Sequence, residues 1–182
     1  MCVIIVCPKG VKIPSLNELR AAFATNPDGA GFVTKSIHYK SLHFGAFYRQ
    51  LKKRDINEDC IIHFRYATHG SVCVKNCHPF YNKRVWFAHN GVLPIKSVND
   101  KTDSQIYFDN VVRPMITEFG INSLVFKTEM QRVAYSYGSK FAILKDGKAH
   151  LYGRFEMIDG RYYSNTRHFY RMKKEKHYNM CV

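Results

Sequence analysis

The chain opens on Cys2-Val3-Ile4-Ile5-Val6, a run of apolar, mostly β-branched residues closed by Pro8 and Gly10. Such a run reads as a buried strand. A strand that starts this early anchors position 2 in the fold instead of leaving it on a frayed end.

The rest of the composition fits a globular domain. The chain has 182 residues, 46% of them hydrophobic and 14% aromatic, with 12 Tyr and 13 Phe, enough apolar material for a core and too much for a disordered basic tail. Twenty-eight Lys and Arg against 14 Asp and Glu give a net charge of +14, so polyanions such as nucleic acid are candidate partners. No apolar stretch approaches the roughly 18 to 20 residues needed to span a bilayer, and Cys2 to Cys7 is too short for a signal-peptide core. These features predict a cytoplasmic protein with no membrane partner. The six cysteines, at 2, 7, 60, 73, 77 and 181, include no Cys-x-x-Cys pair, which predicts reduced thiols.

Punctuation along the chain predicts alternating helices and strands. Ser15-Leu-Asn-Glu18 fits a capping box, followed by Leu16, Leu19, Ala22 and Phe23 at helical spacing until Asn26-Pro27. Asp28 to Gly31 is a turn into a strand near Phe32 to Tyr39. A second helix is predicted from Phe44 to Leu51, with Lys52-Lys53-Arg54 in its last turn. Cys60 to Phe64 and Val85 to Ala88 read as buried strands, and a third helix as running from about Asp103 to Phe119, disturbed by Pro114. Asp146-Gly147 between Phe141–Leu144 and Ala149–Tyr152 is a hairpin signal, and another strand or hairpin follows near Arg161 to Ser164. With no internal repeat and no linker, the pattern indicates one domain mixing helices with largely antiparallel strands.

Four local features follow in order: Cys2 behind Met1, His63-Phe-Arg65-Tyr-Ala-Thr68-His69-Gly70, Ala88-His89-Asn90-Gly91, and Thr102-Asp103-Ser104. Taken singly, each has a plain structural reading. Cys2 suits a buried thiol at a strand start. Arg65 suits a surface charge, Asn90-Gly91 a hairpin turn, and Asp103 a helix cap. Taken together they resemble the class II glutamine amidotransferase domain, over roughly residues 2 to 165. Asn26-Pro-Asp-Gly-Ala-Gly31, Asn76-Cys-His-Pro-Phe80 and Tyr163-Ser-Asn165 extend the likeness. It is nearest to small stand-alone members of the kind found in phage and bacterial genomes. Residues 166–182 remain as a basic, aromatic tail.

The resemblance implies an N-terminal-nucleophile hydrolase: an α+β, four-layer αββα sandwich of two antiparallel sheets. It implies that Cys2 attacks the side-chain amide of glutamine through a thioester. Its proton would be taken by its own α-amine, freed by loss of Met1, whose pKa of about 7.7 to 8 suits a base at neutral pH. It assigns the oxyanion hole to the Asn90 side-chain amide and the Gly91 N–H. Arg65 would hold the glutamine α-carboxylate, with Thr68 and His69 lining the same pocket, and Asp103 would pair with the α-ammonium. Tyr66 stands where many members carry Trp, and Val3 where many carry Gly. No metal or organic cofactor is implied. Larger members append a domain that consumes the ammonia, so the partners implied are glutamine and a separate ammonia-accepting synthase.

Two other patterns compete. Cys60, His63, Cys73, Cys77 and His78 cluster in sequence, but without the paired spacing of a zinc site; Cys60 and Cys73 are expected to be buried and His78-Pro79 to cover the pocket. From Arg161 to Val182, six basic residues against Glu175 leave a local charge of +5 interleaved with aromatics, which suits nucleic acid. A catalytically silent basic binding module is therefore the alternative function, and hydrolysis of another γ-glutamyl amide a second.

Overall fold

The computed structural model describes residues 1–172 except 69 and 99; His69 and, of the basic aromatic stretch from Arg161 to Val182 expected to suit nucleic acid, residues 173–182 lie outside the described residues. Strand β1 (Val3–Cys7) is buried along its whole length. Its alternation sends Val3, Ile5 and Cys7 to one face and Ile4 and Val6 to the other, and each face meets a different core. A strand with both faces buried has no polar side to mark, which is why its sequence shows an unbroken apolar run.

Around β1 a six-stranded antiparallel sheet is built in the order β3-β2-β4-β1-β10-β9. Its members are β2 (Ala30–Val33), β3 (His38–Ser41), β4 (Cys60–Phe64), β9 (Glu156–Ile158) and β10 (Arg161–Tyr163). A second sheet, also antiparallel, has the order β5-β6-β7-β8. It comprises β5 (Phe80–Asn82), β6 (Val85–Asn90), β7 (Lys140–Lys145) and β8 (Lys148–Tyr152).

Helices α1 (Leu16–Thr25) and α2 (Phe44–Leu51) cover the outer face of the first sheet, through Leu19, Ala22, Phe47 and Leu51 packed on Phe32, Ile62 and Phe64. Helices α3 (Asp103–Tyr107), α4 (Arg113–Phe119) and α5 (Leu124–Ser136) cover the second, with Phe108, Ile116, Phe126 and Met130 against Phe87, Phe141 and Ile143. Between the sheets lies a seam of Ile4, Val6, Val33 and Ile61 against Ala88, Ala142 and Leu144. Helix, sheet, sheet, helix is the four-layer arrangement implied by the motifs. No helix among the described residues is long and apolar enough to cross a membrane.

Several local expectations change. The strand near 32–39 is two strands, β2 and β3, folded as a hairpin with Ala30 opposite Ser41. Ser15 caps α1 by accepting the Glu18 N–H, but the Glu18 carboxylate instead accepts from the buried Tyr163 hydroxyl at 2.7 Å, so only half of the capping box forms. Arg49, not the Lys52 to Arg54 run, occupies the last turn of α2; Arg54 reaches back to the carbonyls of Val11 and Glu58. The third predicted helix is α3 and α4 joined by a π turn over Phe108–Val112. Pro114 has no N–H to give the Asn110 carbonyl and its ring crowds that group, so the helix widens there. Asn90-Gly91 closes no hairpin. β6 pairs with β5 and β7, and the β5-β6 turn is Lys83-Arg84, both at positive φ.

Candidate functional site

Alternation along β6 decides what its last residues can do. Val85 and Phe87 face the helices, and Trp86 and Ala88 face the seam. His89 therefore falls on the helix side and Asn90 on the seam side, towards β1. In β4 the same rule turns Ile61 and His63 to the seam, and His63 Nε2 meets the His89 carbonyl of the other sheet at 3.2 Å.

Cys2 stands immediately before β1, beside the residues that follow β4. Its thiol donates to the Tyr66 carbonyl at 3.4 Å and its sulfur accepts the Tyr66 N–H at 3.3 Å. Burial pushes the Cys2 thiol above its ordinary pKa, against the opposing pull of the Tyr66 N–H, the N-terminal amine and Arg65. Asn165 Nδ2 donates to the Cys2 carbonyl and so fixes the main chain at the nucleophile.

One small cavity gathers Cys2, Arg65, Thr68, Gly91 and Asp103. The cavity is small, about 30 Å³, and opens to solvent at its rim. Tyr66 and Thr68, on that rim, are exposed. A wider groove of about 610 Å³ lies between α5 and β8, walled by Lys127, Gln131, Arg132, His150 and Tyr152. It holds neither cysteine nor carboxylate, and size alone does not locate the chemistry.

Arg65 is not the surface charge it resembles singly. It is buried, with its guanidinium donating to the carbonyls of Ser71 at 2.9 Å and Gly70 at 3.4 Å. Asp103 does not cap α3. Thr102 does, in a reciprocal capping box with Gln105, which leaves the Asp103 carboxylate for the cavity. Oδ1 accepts from the N–H and hydroxyl of Ser104, and Oδ2 accepts the Leu93 N–H at 2.8 Å. A carboxylate has about four acceptor sites, so one more donor can be taken. Gly91 sits at φ +153°, where a Cβ would lie 2.4 Å from Ser139 Oγ; only glycine fits between β6 and Ser139.

Of the predicted site residues, Cys2, Arg65, Thr68, Gly91 and Asp103 line the cavity, Asn90 is buried beside Gly91 on the seam face of β6 and is not among the lining residues, and His69 falls outside the described residues. His78 lines the cavity as expected, and Cys60 is buried, whereas Cys73 is partly exposed. Motif reading assigned no role to Asn76, His89 or Ser104, which complete the walls. His89 bridges Ser104 Oγ at 2.8 Å and Ser139 Oγ at 3.0 Å, so it braces the Asp103 loop against β7. Burial pushes His89 down to about 4 and His63 down to about 3, and lowers His78 well below its ordinary value. All three are neutral at pH 7. Among the described residues no side chain bonds the Cys2 sulfur. No three His, Cys, Asp or Glu residues among them are placed to hold a metal ion.

The family model for class II glutamine amidotransferases matches residues 43–140, more than half of the chain. That span contains Arg65, Asn90, Gly91 and Asp103 but not Cys2. A solved structure of glutamine phosphoribosylpyrophosphate amidotransferase from B. subtilis, complexed with ADP and GMP, superposes with a TM-score of 0.58 at 16% identity. The alignment covers 93% of this chain and 43% of that one, so the present chain spans less than half of the larger protein. At that identity the likeness is one of fold. No curated protein sequence matches.

Proposed function

Since the chain belongs to the class II glutamine amidotransferases, a family of enzymes, we propose that it hydrolyses the side-chain amide of glutamine through a thioester on Cys2 and delivers the ammonia to a separate acceptor enzyme. The observation that carries this reading is the meeting, in one cavity, of Cys2, Arg65, Gly91 and Asp103 from four separate stretches of chain.

The chemistry follows from their types. A thiol raised by burial is protonated at neutral pH and needs a base, and no histidine bonds it among the described residues. The α-amine of Cys2, exposed by loss of Met1, takes the proton as sulfur adds to the amide carbon. Negative charge then collects on the former carbonyl oxygen, which the Gly91 N–H and the Asn90 amide stabilise. The C–N bond breaks, the amine returns the proton to the leaving nitrogen, and ammonia departs. Water then adds to the thioester and releases glutamate. Arg65 and Asp103 bind the α-carboxylate and α-ammonium, so a free amino acid is selected over a peptide-linked one.

The test is intact mass before and after treatment with a diazo-ketone glutamine analogue. Loss of Met1 and a single adduct on Cys2, blocked by excess glutamine, are expected, with glutaminase activity abolished by Cys2→Ala. Unchanged turnover in Cys2→Ala sinks the reading.

A further inference from the structure

A buried amide end without a partner is costly, and native proteins keep few of them without a use. Asn90 has one. Its side chain is buried, Nδ2 donates to Ser164 Oγ at 2.8 Å, and Oδ1 meets no hydrogen-bond partner among the described residues.

Ser164, just after β10, is itself locked to the nucleophile strand. Its N–H donates to the Ile4 carbonyl at 2.9 Å, and its hydroxyl accepts the Ile4 N–H at 2.8 Å. A hydroxyl has two acceptor lone pairs and one proton. With Ile4 and Asn90 both donating to it, both lone pairs are used and the proton is left without an acceptor among the described residues. Both unmet groups, the Ser164 proton and Asn90 Oδ1, belong to the two side chains that this one hydrogen bond joins.

Half a turn of the Asn90 amide removes this conflict by exchanging its two ends. Ser164 then accepts from Ile4 and donates to Oδ1, and the end left over is Nδ2, a buried donor in search of an acceptor. A preorganised donor of that kind is what a developing oxyanion requires. We propose that Ser164 is the positioning residue of the oxyanion amide: its hydroxyl holds Asn90 by Oδ1 so that Nδ2 is presented to the tetrahedral intermediate. The inference rests on Asn90 being an oxyanion donor. Its neighbour Asn165 holds the Cys2 carbonyl, so two consecutive residues after β10 tie the strand of the nucleophile to the strand of the oxyanion donor across the two sheets.

The experiment is a double-mutant cycle on glutamine hydrolysis, with active sites counted by the diazo-ketone analogue so that only folded enzyme is scored. Asn90→Ala is expected to lower kcat by about a hundred- to a thousandfold. Ser164→Ala is expected to lower kcat about ten- to a hundredfold with KM within about twofold, and Ser164→Thr, which keeps the hydroxyl, to recover most of it. In an Asn90→Ala background, Ser164→Ala should add less than about a twofold loss. If Ser164→Ala costs the same factor in that background, or leaves kcat intact while Asn90→Ala is impaired, the positioning role is overturned and the oxyanion reading stands. Wild-type kcat in Asn90→Ala overturns the oxyanion reading, and the role of Ser164 with it.

Discussion

The seam between the sheets and the layers beneath the helices are built from different material. Both helix-facing cores are rich in aromatics: Phe87, Phe108, Phe126 and Phe141 on one side, Phe32, Phe47, Phe64 and Tyr163 on the other. The seam has none among its fully buried members; β6 and β7 give it Ala88, Ala142 and Leu144, with Trp86 packed against them. Small side chains let the two sheets approach closely, so the end of β6 lies beside the start of β1. The two aromatic layers hold the larger clusters of buried side chains, whose apolar surface stabilises the fold by about 25 cal/mol per Å². The seam brings together groups from two sheets, and at its cavity end it turns polar, with His63 on the His89 carbonyl and Asn90 on Ser164.

Substitutions on the two sides of β6 and α5 separate these roles. Phe126→Ala, in a helix-facing core, is expected to cost about 3 to 5 kcal/mol of unfolding free energy, read by urea denaturation, with activity per competent active site unchanged. An equal loss of activity per site would erase the distinction. The buried histidines around the cavity make stability depend on pH. His63 and His89 have folded pKa values depressed to about 3 and about 4, below the unfolded value near 6.5. Between those values the unfolded chain binds more protons, so stability is full above pH 6.5 and falls as pH drops towards 4. Each histidine removes about 2 kcal/mol between pH 7 and 5, and a urea midpoint that stays constant over that range contradicts their burial as neutral rings.

Ala88→Leu overfills the seam and is expected to cost only about 1 to 3 kcal/mol, yet to lower kcat disproportionately, because β1 and β6 are pushed apart. A kcat that survives this change means the sheet spacing does not set the site. The smallest effect distinguishes two thiols. Cys73 is lowered by its hydrogen bond with Ser71, whereas burial raises Cys2. Iodoacetamide at pH 7 should therefore label Cys73 before Cys2, the reverse of the order given by the diazo-ketone analogue, as peptide mapping would read.

Much of this molecule was legible from side-chain type and spacing. β1, β4 and the β7-β8 hairpin followed from apolar runs and from Asp146-Gly147, whose positive φ values suit that turn. α5 escaped although Phe126, Met130, Val133 and Ala134 recur at helical spacing, because the exposed Leu124 and Val125 blur its apolar face. The β5-β6 turn escaped because Lys83 and Arg84 carry no turn signature. At the site, the motifs marked Cys2, Arg65, Gly91 and Asp103, but nothing local marked Ser164 as a partner of Asn90, 74 residues away.

The sequence by itself determined which residues are chemically able to act and which strands must be buried, since both depend on side-chain identity and near-neighbour periodicity. Only the tertiary structure decided that β1 and β6 meet face to face across the seam and that Arg65 is buried. It also decided that one serine hydroxyl faces both the Ile4 N–H and the Asn90 amide. Those are contacts between distant stretches, set by how three cores of different composition pack, and no local pattern encodes that spacing.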